Sequence, residues 1–255
     1  MEPETIFLAA AALFAGFVDA VAGGGGLVQL PALFAVLPDA SAATLFGTNK
    51  AASIWGTATA ASQYVRRVRL PGPMLVAALT AALAGAWLGA RTVSALPSGV
   101  IRPAVLVLLV GVAFYTFCRH ELGATHAPRL QGRAAIVGGT MTGLALGFYD
   151  GVFGPGTGAF LIFVYVRVFG YDFLHASAAA KFVNVATNAA ALAYFVAHGH
   201  LLWPIAGLMA ACNVGGAVLG SRLALRFGAP FVRRVFLLVV CVLIVKLAVD
   251  VATAA

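Results

Sequence analysis

Long apolar runs alternate with short polar breaks along the whole chain, and the runs fall into two sets of five. The first set covers about 5–22, 26–37, 41–65, 73–96 and 100–118; the second covers about 134–153, 158–169, 173–197, 204–225 and 231–252. A bilayer core of about 30 Å takes about 20 helical residues, which the longer runs supply. The pattern predicts an all-α polytopic membrane protein. The second element of each set is the exception, since its twelve residues rise only about 18 Å as helix. A glycine-rich break separates it from the first element. Such discontinuous helices form either a re-entrant pair or one short span beside a full one.

The two sets are copies of one unit. At an offset of 131 residues, Gly16-Phe17-Val18-Asp19 falls on Gly147-Phe148-Tyr149-Asp150, Lys50 on Lys181, and Pro73 on Pro204. Gly85-Ala86 and Leu88-Gly89 fall on Gly216-Ala217 and Leu219-Gly220, and Arg91 and Arg102 on Arg222 and Arg233. Coincident Gly or Ala means little in so biased a composition, but coincident Asp, Lys and Pro at one offset are informative. The reading is a first membrane repeat over 1–118, a polar linker over 119–133 and a second membrane repeat over 134–255.

Composition supports the membrane assignment. Of 255 residues, 62% are hydrophobic and 9% charged, with a mean hydropathy of +1.00. So few charges cannot coat a soluble globule, and the same numbers exclude a disordered tail. The net charge of +8 reflects basic residues between the apolar runs, with no basic patch interleaved with aromatics, so nucleic acid is not expected as a partner. The basic residues serve topology instead. If each repeat crosses an odd number of times, the second copy is inverted. One side of the membrane then receives Arg66, Arg67, Arg69, Arg119, Arg129, Arg133, Arg167, Arg222, Arg226, Arg233 and Arg234, and the other only Arg91 and Arg102. Parallel copies would split the same thirteen six against seven. The inverted arrangement is expected, with both termini outside the cytoplasm. The opening Met1-Glu2-Pro3-Glu4 lacks a basic n-region and reads as the start of a membrane segment. Cys118, Cys212 and Cys241 form no CxxC and read as buried and inert.

Polar chemistry concentrates at two corresponding places. The run Gly23–Gly26 follows Asp19, and Gly154-Pro155-Gly156-Thr157-Gly158 follows Asp150. Continuous helix is disfavoured there, and the helix that restarts presents N–H groups that attract an anion. Lys50 lies deep in the third element, where an ionisable group is costly and functional by default. Lys50, Ser53 and Thr57 share one helical face, as do Lys181, Asn184 and Asn188, and Asn49 adds a neighbour in the first copy. The expectation is an anion site between the repeats, with Lys50 and Lys181 supplying charge. Asn49, Ser53, Thr57, Asn184, Asn188, Gly24, Gly25, Gly156 and Thr157 supply orientation. Asp19 and Asp150 act in capping or ion pairing, or carry a coupling proton. The opposing view is that the two aspartates and two lysines form buried salt bridges that only set packing. Neither a metal nor a cofactor is expected. His198-Gly199-His200 reads as a wet interfacial loop, His126 and His175 as loop or interface residues, and Tyr64, Tyr194, Trp203 and Trp55 as interface anchors.

The stretch Gly16–Leu33, ending in Pro31-Ala32-Leu33, resembles the sulfite exporter TauE/SafE family. So do Thr48-Asn49-Lys50, Phe148-Tyr149-Asp150-Gly151, Gly154–Gly158 and Lys181–Asn188. The likeness extends over nearly the whole chain and looks closest to its uncharacterised inner-membrane branch. It implies a bacterial plasma-membrane secondary carrier for sulfur-containing or organic anions, and it assigns no site residue. The expected partners are a small anion and the lipid bilayer, with protons as a candidate coupling ion and a homo-oligomer left open. Two alternatives stand beside the carrier. One is an anion channel, in which lysines select the ion. The other is an intramembrane aspartyl enzyme built on Tyr149-Asp150, which lacks the second Asp in a Gly-x-Gly-Asp setting. No Walker A pattern for ATP is visible.

Overall fold

The computed structural model describes residues 3–92, 123, 125–152 and 154–253, and those residues are helical with short connections. The helices are α1 (Pro3–Ala22), α2 (Gly26–Val36), α3 (Ala42–Tyr64), α4 (Gly72–Thr92), α5 (Gly132–Val152), α6 (Thr157–Arg167), α7 (Phe173–Ala197) and α8 (Trp203–Thr253). The fifth element of the first repeat, 100–118, lies outside the described residues, as does Cys118. The fourth and fifth elements of the second repeat run together as α8, which breaks at Gly228 (φ 69°, ψ −163°) just before Pro230. Among the described residues, four segments are long and apolar enough to cross a bilayer: Pro3–Ala22, Gly72–Thr92, Phe173–Ala197 and Trp203–Val239.

The second element of each predicted repeat is an 11-residue helix, as its length predicts. α2 folds back along α1. A Cβ at Gly25 would meet Asp19 Cβ at 2.8 Å, while Leu8 and Ala12 share a core cluster with Ala32 and Leu33. Gly23 and Gly24 make the reversal with φ of 75° and 90°, a left-handed conformation that side chains resist. In the second repeat the left-handed positions are Gly154 and Gly156, because Pro155 fixes the residue between them.

Small residues set the helix packing. α4 packs along α5 and α1 along the first part of α8. On α5, Gly139, Gly143, Gly147 and Gly151 recur every fourth residue, and each faces a backbone carbonyl of α4: Met74, Ala78, Ala82 and Ala86 in turn. Gly85 and Gly89 answer from α4 against Leu144 and Phe148. Across α1 and α8 the arrangement recurs at the 131-residue offset, with Gly16 against Asn213 and Gly216 and Gly220 against Leu13 and Phe17. Backbones approach this closely in membranes because small residues allow it. Ile6, Phe7, Phe14, Val76, Trp87, Val137 and Met141 remain exposed, which suits a surface solvated by lipid. Cys241 is also exposed rather than buried. Trp55 and Trp203 are exposed, but Tyr64 is fully buried and donates its hydroxyl to Ala20 O at 2.9 Å. It is a packing residue, not an interface anchor.

The linker lies against the loop before α7. Ala127 N donates to Gly170 O and Arg129 N to Phe169 O, both at 2.9 Å, and Phe173 N donates to Gly123 O at 3.1 Å. Asp172 caps α7 by accepting from His175 N at 2.7 Å. Burial pushes its carboxyl up, but the His175 hydrogen bonds and nearby imidazole charge outweigh burial and hold it below the usual carboxylate range.

Candidate functional site

α3 and α7 occupy the centre of the bundle and contact each other, and each also packs on a helix of the other half. Both carry a lysine eight residues past their first residue, Ala42 or Phe173, so about 12 Å along the helix. Lys50 is 3% exposed and Lys181 0%. Each is paired with the aspartate of the other half. Lys50 Nζ lies 2.6 Å from Asp150 Oδ2, and Lys181 Nζ lies 3.3 Å from Asp19 Oδ2. Adding 131 to Lys50 and subtracting it from Asp150 turns the first pair into the second.

The two pairs are not equivalent. The first is a hydrogen-bonded contact. In the second, Lys181 Nζ is close enough for charge attraction but outside hydrogen-bond geometry. Asp19 Oδ2 also lies 3.0 Å from Thr57 Oγ1, whose single proton is shared with Ser53 O at 2.9 Å. Asp19 therefore divides its charge between a loosely held lysine and a hydroxyl.

A small cavity lies between the pairs. Asp19, Asn49, Lys50, Ser53, Thr57, Asp150, Asn184 and Asn188 line it, with backbone from Gly24, Gly25, Gly26, Gly154 and Gly158. Ten of the thirteen residues expected from the sequence thus meet around one space. The other three stand behind it. Lys181 reaches the site through Asp19. Thr157 folds its hydroxyl onto Gly154 O at 2.9 Å and caps the turn. Gly156 supplies the left-handed residue before α6. About 20 Å³ is open to water centres, room for about one water molecule and too little for a four-atom oxyanion.

Gln29 was not anticipated. It is fully buried, accepts from Ser53 Oγ at 2.9 Å, and its Nε2 has no hydrogen-bond partner. The signal was present, as Gln29 is the single polar side chain in Gly26–Val36, and Phe160 stands at the corresponding place. Asn49 Oδ1 likewise has no partner. Asn213 bridges helices, donating to Ala12 O at 3.2 Å while pressing on Gly56. The site therefore gathers two lysines, two aspartates and two amide groups that have an atom without a hydrogen-bond partner among the described residues. Charge alone makes it neutral, so an added anion must either separate a lysine from its carboxylate or meet a protonated aspartate.

Comparison with known proteins agrees with the family resemblance of the sequence. The family model described as "Sulfite exporter TauE/SafE" matches residues 8–247. The chain is 36% identical over 248 residues to "Probable membrane transporter protein ORF9" of Sinorhizobium sp, covering 96% of this chain and 92% of that protein. It is 34% identical over 244 residues to "Probable membrane transporter protein YfcA" of Escherichia coli strain K12, covering 94% and 87%. A "Probable membrane transporter protein" of Haemophilus influenzae is 30% identical over 237 residues, covering 92% and 91%. The names point to transport and not to an enzyme. With the match running nearly end to end over an all-helical bundle with bilayer-length apolar helices, the chain belongs to the sulfite exporter TauE/SafE family of membrane transporters.

Proposed function

We propose that this protein is a secondary carrier of a small anion, such as sulfite, a sulfonate or another organic anion. Its site is the cavity between the two crossed ion pairs. The observation that carries this is the exchange of partners, Lys50 with Asp150 and Lys181 with Asp19. A salt bridge that only fixed packing would need no cavity beside it. This one is lined by Asn49, Ser53, Thr57, Asn184 and Asn188 and by the glycines that start α2. An oxyanion entering there takes the place of a carboxylate against a lysine. Amides and hydroxyls orient it, and the N-terminus of α2 adds partial positive charge. Protonation of the displaced aspartate would couple transport to the proton gradient.

Two inverted repeats account for the exchange. Crossed ion pairs, Gly16 against Asn213 with Gly147 against Ala82, and Gly216 against Leu13 with Gly85 against Leu144 all follow one offset. In such a transporter the site lies near the bilayer midplane, and access alternates as the repeats rock against each other. The arginine distribution supports a cytoplasmic linker and 66–69 loop with both termini outside. The membrane is the bacterial plasma membrane.

Counterflow in proteoliposomes tests the carrier against a channel. Vesicles loaded with unlabelled sulfite are expected to take up labelled sulfite transiently above equilibrium, with saturation and with competition by sulfonates. Uptake that never exceeds equilibrium and rises linearly with concentration would assign a channel instead.

A further inference from the structure

A second polar cluster lies where the linker meets the start of α7, with His175 six residues before Lys181. His126, Asp172 and His175 each place one ligand atom, a ring nitrogen or a carboxylate oxygen, within 4.8 Å of the others. The imidazoles of His126 and His175 stack with centroids 3.8 Å apart and planes 29° apart. His175 Nδ1 lies 2.8 Å from Asp172 Oδ1 and 2.9 Å from Oδ2. Capping explains why Asp172 accepts from the His175 backbone. It does not explain why a histidine from a separate segment is laid face to face on that pair.

The segments are held in place. Backbone hydrogen bonds tie Ala127 to Gly170 and Arg129 to Phe169, on either side of the cluster. His126 also packs on Tyr171, at 5.1 Å between centroids. Both histidine-bearing segments are therefore fixed before any ligand arrives, which lowers the ordering cost of binding. Two imidazoles and one carboxylate form a donor set suited to borderline transition-metal dications, and three protein ligands leave a fourth position for water. Calcium and magnesium prefer all-oxygen shells. Ligand atoms around tetrahedral zinc are about 3.4 Å apart, so the cluster must contract and the stacked rings must turn until both in-plane lone pairs point at one ion. His126 is exposed and free to make that movement.

We propose that His126, Asp172 and His175 form a binding site for a zinc-class dication that clips the linker to the first turn of α7. This proposal is independent of the transported substrate. It also assigns chemistry to two histidines whose sequence positions suggest only loop residues.

The test uses the full chain, purified in detergent without a polyhistidine tag and stripped with chelator. Calorimetric titration with ZnCl2 is expected to give one saturable site per chain and a rise in melting temperature, with no response to MgCl2. His126→Ala and His175→Ala are each expected to weaken zinc binding by about tenfold or more. Asp172→Asn keeps a capping side chain and is expected to weaken zinc binding while leaving the metal-free melting temperature near wild type. His198→Ala with His200→Ala serves as the control and should leave binding unchanged. No saturable binding by wild type, or binding that survives both His126→Ala and His175→Ala, would overturn the proposal. So would binding lost only in the control.

Discussion

Lys50→Ala is expected to destabilise the protein severely, and adding Asp150→Ala is expected to restore folding without restoring transport. The pair is buried on both sides, at 4% and 2% side-chain exposure. Removing one partner leaves a carboxylate with its charge uncompensated, a loss of about 3–5 kcal/mol. Removing both takes away the charge that needed compensation, and buried pairs replaced together are often nearly neutral in stability. The prediction is an unstable or protonation-rescued single variant and a double variant that purifies as a monodisperse protein. Proteoliposomes of that double variant should show sulfite counterflow reduced by more than about tenfold, the scale of losing one charge-assisted contact. The same pattern is expected for Lys181→Ala with Asp19→Ala. Its single-variant loss should be the smaller, because Lys181 lies 3.3 Å from its partner and Asp19 keeps Thr57. A double variant that transports normally would reduce both pairs to packing elements.

The second large effect comes from backbone packing. Gly147→Val is expected to separate α4 from α5. A Cβ at position 147 would sit 2.7 Å from Ala82 O and 2.9 Å from Ala82 Cα, both backbone atoms that cannot swing aside. Overpacking of this kind costs about 1–3 kcal/mol and more when backbone must move. Gly143, facing Ala78 O from one turn earlier, should behave alike. Gly207 meets nothing within 4 Å and is the matched control. Gly147→Val and Gly143→Val should lower the melting temperature and the yield of folded protein, and Gly207→Val should do neither. Equal stability of all three would mean that this helix crossing contributes little.

Much of this was legible in one dimension. The 131-residue offset aligned Asp19 with Asp150 and Lys50 with Lys181, and helical spacing put Ser53 and Thr57 on the lysine face. Both follow from periodicities that a sequence carries directly. Partner choice is different. Whether Asp19 meets Lys50 or Lys181 depends on how α1 is laid against α7, and nothing local to either residue records that. The α5 ladder of Gly139, Gly143, Gly147 and Gly151 was visible as spacing, yet glycine is so common here, at 29 residues, that the pattern did not stand out. Tyr64 was misplaced for a related reason. A tyrosine beside Arg66 and Arg67 looks like an interface residue, but the end of α1 offered Ala20 O as an acceptor and buried it. His126 and His175 are 49 positions apart, and only the docked linker brings them together.

An anion is expected to bind between the crossed pairs. The measurement that tests it most directly is calorimetric titration of sulfite into purified wild type, Lys50→Ala/Asp150→Ala and Lys181→Ala/Asp19→Ala proteins. Saturable binding by wild type, weakened by about tenfold or more in both folded double variants, is the predicted result. Sulfite and sulfonates binding equally well to all three proteins would place the site elsewhere and contradict the account.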